Sequence, residues 1–312
     1  MLWVIVNRGN RTPLRRMRAF RGGAFARRVR PLPLESIRRR RRLPAGGYLF
    51  VGHETWSSSD LALGARLARR MREEGAPVWN DPGHVLRRYA LLRMLFEDGT
   101  NSFNVYRADE RREPTRWPVF LRGEHDHQGH RSELLPDRAA LAAALREVED
   151  PASALIVEFV DTRGGDRLHS KCGACRVGDA LFARHRIFGE HWMVKVQAHP
   201  EPACAERERS YVASFPDREA VASVFERAGI DYGRIDYTPV GDRIEVWEIN
   251  TNPTIVDPPT LAMKSRWAFN EPIIHRHCDA LLALAETGEG RSPVPLKGVA
   301  GVRPGWRWWG KR

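Results

Sequence analysis

Two carboxylates and an amide between Asp236 and Asn250 have the residue types and the spacing of a metal site. Asp236 and Glu248 lie equally far along the chain from Asp242, which ends a Val-Gly-Asp sequence typical of a turn between two strands. An antiparallel register therefore places the two carboxylates opposite each other. Asn250 shares their face because side chains along a strand alternate. Three oxygen donors in one patch suit a hard cation such as Mg²⁺, and an acidic surface hairpin is the alternative interpretation. Without a cation, the two like charges are expected to repel.

Two strands, residues 233–239 and 243–249, have to position this patch. The elements before them predict an α/β protein. A strand over residues 48–51 is followed by a helix whose apolar residues recur at every fourth position, and then by a short strand over residues 77–79. This alternation predicts a small α/β domain with a parallel sheet. A further buried strand is predicted over residues 2–6.

Length and composition predict a globular protein with room for two domains. The chain has 312 residues, of which 42% are hydrophobic and 29% are charged. No apolar run reaches the ~18 residues that a membrane helix needs, and the opening apolar segment is too short for a secretory signal. The four scattered cysteines do not form a disulfide framework, so we expect a cytoplasmic protein. Cys172 and Cys175 are expected to be unconnected, partly buried thiols on opposite faces of one strand.

The positive charge of the protein is concentrated at its N-terminus. The formal net charge is +12, and residues 1–42 contain fourteen arginines and a single acid, Glu35. The segment that follows the first strand is too charged and too poor in apolar periodicity to be expected to fold alone. Such a segment can bind nucleic acid or an anionic surface. The alternative is a solvated surface in an arginine-rich chain, since the whole sequence contains only five lysines.

The sequence from Val246 to Pro253, together with Arg234-Ile235-Asp236, resembles the metal-binding end of ATP-grasp enzymes. Glutathione synthetases and the glutamate ligases that modify ribosomal proteins are the nearest examples. The resemblance implies an α/β (α+β ATP-grasp) fold, in which a small N-terminal α/β domain precedes two lobes that hold the nucleotide between them. It also implies that Asp236, Glu248 and Asn250 bind Mg²⁺ or Mn²⁺ ions bridging the phosphates of ATP.

The same resemblance implies a set of residues around the nucleotide. Two arginines stand where the family has phosphate-binding lysines, a glycine belongs to a flap over the phosphates, and a strand end forms the adenine pocket. Basic residues on three predicted strands, 167–176, 180–187 and 191–196, are expected to face the triphosphate. The residues expected to bind the nucleotide are Arg88, Arg122, Gly129, Glu158, Phe159, Val160 and Lys171, and those expected to act in catalysis are Arg184 and Lys195.

Three histidines in the predicted flap, His125, His127 and His130, leave a zinc site open as an alternative, although a fourth ligand is not evident. The C-terminal tail interleaves tryptophan with basic residues, a pattern that can bind nucleic acid or a membrane interface, or pack over the body of the protein.

The implied activity is that of a ligase that phosphorylates a carboxylate with MgATP and couples the acyl phosphate to an amine. An ATP-grasp kinase acting on a hydroxyl remains an alternative, as does a degenerate nucleotide-binding scaffold with a polyanion-binding arm. The substrates would be a small-molecule or peptide carboxylate and an amine. The expected segments are the arginine-rich segment with one strand (1–47), the small α/β domain (48–84), the nucleotide-binding lobe (85–158), the metal-binding lobe (159–290) and the tail (291–312).

Overall fold

A computed structural model describes residues 1–110, 112–125, 131–194, 202–256 and 266–303. It contains three main sheets and one two-stranded pair, together with helices that cover the sheets. The strands are β1 (Leu2–Val6), β2 (Val29–Pro33), β3 (Arg42–Leu43), β4 (Gly47–Phe50), β5 (Val78–Trp79), β6 (Val105–Arg107), β7 (Val119–Gly123), β8 (Ala154–Glu158), β9 (His169–Val177), β10 (Ala180–Gly189), β11 (Tyr232–Val240), β12 (Arg243–Asn250) and β13 (Val294–Pro295). The helices are α1 (Thr12–Arg21), α2 (Gly23–Arg28), α3 (Leu34–Ile37), α4 (Ser58–Glu73), α5 (Arg88–Glu97), α6 (Arg138–Arg146), α7 (Pro202–Ser214), α8 (Arg218–Arg227) and α9 (Trp267–Thr287).

The first sheet is parallel and has the order β2-β1-β4-β5. Helix α4 covers it because its apolar residues recur with helical periodicity and all lie in the core, namely Leu63, Leu67 and Met71. The hydroxyl of Ser57 caps this helix by accepting a hydrogen bond from the Asp60 N–H at 3.1 Å. The predicted parallel sheet with a covering helix is therefore confirmed.

The arginine-rich segment is folded into this same sheet. Sequence patterns predicted one strand in residues 1–47, whereas the structure also has β2, β3 and three helices there. Helix α1 buries only Leu14 and Met17, too few apolar residues for the periodicity to stand out among the arginines. Some of those arginines pair with acids of α9, as Arg21 does with Asp279 at 2.6 Å. The expected division into five segments stays a prediction, although residues before and after position 47 share one sheet.

The second and third sheets are antiparallel. The second has the order β6-β8-β7, and the third has the order β10-β9-β11-β12, with α7 and α8 packed on one face. Helix α9 lies between the first and third sheets and joins them in one apolar cluster. The third strand expected over residues 191–196 is not formed by the four of these residues that are described, 191–194.

Strand β9 shows the alternation expected of its two cysteines. Cys172 belongs to the cluster under α7 and α8, and Cys175 belongs to the cluster around α9, so the two thiols face opposite sides. Both are fully buried rather than partly buried. Burial raises the pKa of Cys172 to about 12 and that of Cys175 to about 11, so both remain protonated thiols at neutral pH.

No helix in the described parts of the chain is long and apolar enough to cross a membrane.

Candidate active site

The hairpin of β11 and β12 has the register that its sequence predicts. Asp236 is the direct cross-strand partner of Glu248, and Arg234 is the partner of Asn250. A bulge follows Asp236, since Tyr237 pairs with Val246. The hairpin turn places Gly241 at φ +62°, a conformation that glycine adopts without strain. The two carboxylates and the amide therefore lie on one face of the third sheet, across its last two strands.

Asp236 is 3% exposed and is held by two cationic side chains. Arg234 donates from Nε to Oδ1 at 2.8 Å, and Lys171 donates from Nζ to Oδ2 at 3.2 Å. Burial by itself raises the pKa of this carboxyl group, but the charges of Arg234 and Lys171 outweigh it and bring the pKa well below its ordinary range. Asp236 is therefore ionised and neutralised within the protein.

Glu248 is clamped by a second pair of cations. Arg88 and Arg122 both donate from Nη2 to Oε2 of Glu248, the latter at 2.7 Å. The side chains are 3% exposed for Arg88 and 12% exposed for Arg122. The repulsion expected between the two carboxylates in the absence of a cation is offset here, because each carboxylate is bonded to two cationic side chains.

A cavity of about 310 Å³ lies against this hairpin. One end is apolar and aromatic, and there the ring centroids of Phe120 and Phe159 lie 4.8 and 5.9 Å from that of Trp192. The other end is charged and contains the hairpin carboxylates with three of their cationic partners. The lining of the charged end consists of Arg122, Lys171, Arg234, Asp236, Glu248 and Asn250.

No family model matches the sequence. No curated protein matches it either. Solved structures do match over nearly the whole chain. A D-alanine–D-alanine ligase from Bacillus anthracis, complexed with ATP, has a TM-score of 0.51 at 14% identity, covering 92% of this chain and 96% of that one. A RimK domain protein ATP-grasp from Sphaerobacter thermophilus has a TM-score of 0.50 at 17% identity, covering 93% and 100%. An L-amino acid ligase from Bacillus licheniformis has a TM-score of 0.51 at 13% identity, covering 97% and 77%.

The chain has the ATP-grasp fold. This confirms the resemblance based on the hairpin motif and the fold class it implies. At these levels of identity the likeness concerns the fold, and the roles of individual residues must be judged from their own surroundings.

Within the ATP-grasp fold, some residues expected near the nucleotide line the cavity and others do not. Phe159, Val160, Lys171 and Arg122 line it. Arg88 lies behind this lining and contacts it through Glu248. Gly129 and Lys195 lie outside the described residues, as do His127, His130 and the tryptophans of the tail.

Glu158 does not line the cavity and is bonded instead to neighbouring parts of the chain. Its carboxylate is fully buried and accepts hydrogen bonds from the Asn104 N–H, the Tyr106 hydroxyl and the Thr115 N–H, each at 2.9 Å. Burial by itself raises the pKa of Glu158, but these hydrogen bonds outweigh it and lower the pKa below its ordinary value. Glu158 therefore fixes the chain beside the cavity, and the next two residues, Phe159 and Val160, line it.

Arg184 was expected to face the triphosphate, but its described contacts lie elsewhere. It is 4% exposed, donates to Oδ1 of Asn270 on α9, and approaches the carbonyl of Ile255 at 3.4 Å. The residue sits in a bulge of β10, where the register shifts between Ala183 and His185. This bulge turns the arginine towards α9, which strand alternation alone could not reveal.

The cavity also contains residues that sequence reasoning missed. Trp192 was placed on a predicted strand, and Arg234 was used only as part of the family motif. The spacing of Arg234, two residues before Asp236, was the available signal, because it places both side chains on one face. No sequence pattern indicated that Phe120 on β7 would meet Trp192.

The end of β12 is anchored to the first sheet. The hydroxyl of Thr251 accepts a hydrogen bond from the Gly52 N–H at 3.0 Å and donates one to Glu54 at 3.0 Å. The N–H of Thr251 donates to the other oxygen of Glu54 at 2.5 Å. Asn250 is therefore held next to the loop that follows β4.

The donor set at the hairpin fits a hard divalent cation, since it combines two carboxylates with the amide oxygen of Asn250. However, the described residues contain no group of three or more His, Cys, Asp or Glu that could hold a metal ion by themselves. The oxygens of Asp236 and Glu248 instead accept hydrogen bonds from cations, and Oδ1 of Asn250 accepts one from the Asn252 N–H at 2.8 Å. A metal ion could bind these oxygens only after it replaced some of these hydrogen bonds.

Proposed function

We propose that this protein is an ATP-dependent carboxylate–amine ligase that binds MgATP in the cavity beside β11 and β12. The observation that carries the proposal is the composition of that single cavity, which joins an aromatic end to a charged end containing Asp236, Glu248 and Asn250. The similar folds of a D-alanine–D-alanine ligase and an L-amino acid ligase support the reaction class.

The two ends of the cavity match the two parts of ATP. An adenine ring is flat and apolar, and it can stack on aromatic side chains such as Trp192 and Phe159. The triphosphate carries several negative charges, which Arg122, Lys171 and Arg234 can neutralise. The nucleotide would therefore lie with its base towards β7 and β8 and its phosphates towards the hairpin.

The cationic side chains bonded to Asp236 and Glu248 can transfer their hydrogen bonds to the nucleotide, so the metal ion and the nucleotide would bind together. Phosphate oxygens can take over the hydrogen bonds that Lys171 and Arg234 donate to Asp236, which releases carboxylate oxygens for a cation. Asp236, Glu248 and Asn250 would hold that cation. When bound, Mg²⁺ neutralises charge on the phosphates as the phosphoryl group is transferred.

The proposed reaction needs ATP because a free carboxylate is a poor electrophile. Transfer of the γ-phosphoryl group to the substrate carboxylate gives ADP and an acyl phosphate. Attack by a neutral amine then forms the amide bond, breaks the acyl–oxygen bond to phosphate, and releases phosphate and a proton. Lys171 and Arg234 are placed to stabilise the charge on the transferring group.

We place the carboxylate and amine substrates where the first sheet meets the end of β12. In the order β2-β1-β4-β5, strand β1 has β2 on one side and β4 on the other. The connections that lead from β1 to β2 and onwards to β4 therefore run in opposite directions across the sheet. Ligands in open α/β sheets bind at such switch points, beyond the carboxyl ends of the strands. The loop after β4 reaches that place and bonds to Thr251, the residue after Asn250.

The test is formation of ADP and phosphate from MgATP in the presence of pooled amino acids, amines and small carboxylic acids. We expect turnover that needs both a carboxylate and an amine in the pool, followed by detection of the amide by mass spectrometry. Glu248→Gln should lower the rate by orders of magnitude, because it removes a charged donor from the metal site. Asp242→Asn is the matched control, since Asp242 is an exposed acid in the turn of the same hairpin. Equal rates for Glu248→Gln and Asp242→Asn would contradict the proposed site.

A further inference from the structure

A second cavity, of about 250 Å³, lies on the face of the third sheet that packs against α7 and α8. Its lining contains charged and hydroxyl side chains. The residues that surround it are Arg186, Arg207, Ser210, Tyr211, Ser214, Pro216, Asp217 and Pro239. A cavity of this size holds several water molecules or one small polyatomic ion, since a water occupies about 30 Å³.

Arg186 on β10 is the least satisfied of the charged groups in this lining. It is half-buried, and its Nε atom is inaccessible and has no hydrogen-bond partner among the described residues. Its Nη2 reaches only the hydroxyl of Ser170, at 3.5 Å, the outer limit of a hydrogen bond. No acid in the described residues forms an ion pair with it. A partly buried guanidinium without a counter-ion is costly, and an anion in the adjoining cavity would remove that cost.

Among the described residues, no other lining group forms an ion pair with Arg186, although Asp217 brings one carboxylate to the cavity. Arg207 pairs with Asp166 and places its guanidinium 4.2 Å from the centre of the Phe188 ring. The carboxylate of Asp217 accepts a hydrogen bond from the Tyr237 hydroxyl at 2.9 Å. Arg207 therefore remains available to donate further hydrogen bonds at the cavity wall, because a guanidinium carries five N–H groups.

We propose that this cavity is a binding site for a small tetrahedral oxyanion of the phosphate type, held by Arg186 and Arg207. Guanidinium groups match such anions in geometry and can donate two parallel hydrogen bonds to them. The hydroxyl of Ser210 supplies a neutral donor on the side of α7, whereas that of Ser214 already donates to the Ser210 carbonyl at 2.8 Å. The site shares no lining residue with the nucleotide cavity, and Cys172, the cross-strand partner of Arg186, faces the cluster under α7 and α8. The two cavities are neighbours at Ser170, which Arg186 reaches and which lines the nucleotide cavity.

The test is a calorimetric titration with inorganic phosphate at constant ionic strength, on the full chain and without nucleotide. We expect saturable binding that Arg186→Gln weakens roughly tenfold to a hundredfold, as expected for loss of a charged hydrogen bond. Arg207→Gln should weaken it as well. Arg209→Gln is the matched control on the same helix, since Arg209 is exposed, pairs with Glu206 and does not line the cavity.

Two further variants separate this site from the nucleotide cavity and from a loss of folding. Lys171→Gln alters the nucleotide cavity and should leave this phosphate binding in place, so the outcome does not depend on the proposed ligase activity. Arg186→Gln should keep the melting temperature measured without phosphate and lose the rise that phosphate produces in the wild type. Phosphate binding that is absent, that survives Arg186→Gln, or that Lys171→Gln abolishes would overturn the proposal.

Discussion

Asp236 and Glu248 are direct cross-strand partners, yet their carboxylates bond to different pairs of cations. Asp236 is held by residues of β9 and β11, whereas Glu248 is held by the first residue of α5 and by a residue of β7. Glu248 therefore links the third sheet to α5 and to the second sheet, whereas Asp236 is held within the third sheet. In the proposed mechanism, phosphate and metal replace these bonds when the nucleotide binds.

Glu248→Gln is expected to destabilise the protein even without nucleotide. The change leaves the buried guanidinium of Arg88 without its carboxylate, at a cost of about 1–3 kcal/mol. Urea denaturation in the absence of ATP measures this directly, and Asp242→Asn should show no loss. If Glu248→Gln were as stable as Asp242→Asn, the clamp formed by the two arginines would not contribute to folding.

Metal binding is expected to depend on the nucleotide. Lys171 and Arg234 occupy the oxygens of Asp236, so Mn²⁺ alone should bind weakly, and a non-hydrolysable ATP analogue should strengthen its binding. Electron paramagnetic resonance of free Mn²⁺ measures both affinities. By linkage, the metal must strengthen the binding of the analogue by the same factor. Lys171→Gln removes one of the two cations bonded to Oδ2 of Asp236, which keeps only the 3.3 Å bond from Arg234, and should raise the affinity for Mn²⁺ alone. A lowered affinity would contradict the proposed exchange of partners at Asp236.

Trp192 is expected to stack on the base of the nucleotide. Trp192→Ala should weaken binding of the ATP analogue by about 1–3 kcal/mol, the usual effect of losing one aromatic stack on a base. Binding of inorganic triphosphate should be unchanged, because it lacks a base. Trp267→Ala serves as the control, since Trp267 is an exposed tryptophan that does not line the cavity. If Trp192→Ala weakened binding of the ATP analogue and of triphosphate equally, Trp192 would not be the residue that stacks on the base.

Glu158 is expected to contribute to stability in a pH-dependent way. Its pKa in the folded protein is below the ordinary value, so its contribution is fully present above the unfolded pKa and is lost as the pH falls through the folded pKa. Glu158→Gln should therefore destabilise the protein at neutral pH, and the difference from wild type should shrink below about pH 4. Urea denaturation across this range checks the sign, and a difference that grows towards acid would contradict it.

The sequence predicted the hairpin best, although the pairing of Asp236 with Glu248 depends on a bulge after Asp236 that symmetry about the turn does not reveal. It predicted Arg88 and Arg122 as basic residues near the nucleotide but not as partners of Glu248. That contact joins residues 160 and 126 positions apart, and no local pattern encodes such a distance. The orientation of Arg184 was missed because a bulge in β10 shifts the alternation of its side chains.

The arginine-rich segment shows a different limit of sequence patterns. Its high charge suggested a segment that could not fold alone, whereas β2 pairs with β1 along its full length in the structure. The apolar residues that hold it, such as Phe25 and Leu32, are single and widely spaced, so each short element buries one or two of them. The first sheet supplies the rest of the core, and this contribution is not visible in the segment itself.

Calorimetric titration of the protein with a non-hydrolysable ATP analogue in the presence of Mg²⁺ tests directly whether this cavity binds MgATP. We expect saturable binding of one equivalent, weakened strongly by Lys171→Gln and by Glu248→Gln and unchanged by Asp242→Asn, with folding of each variant checked by circular dichroism. Absence of binding at millimolar analogue, or equal affinities for wild type and Glu248→Gln, would contradict the assignment of this cavity as the MgATP site.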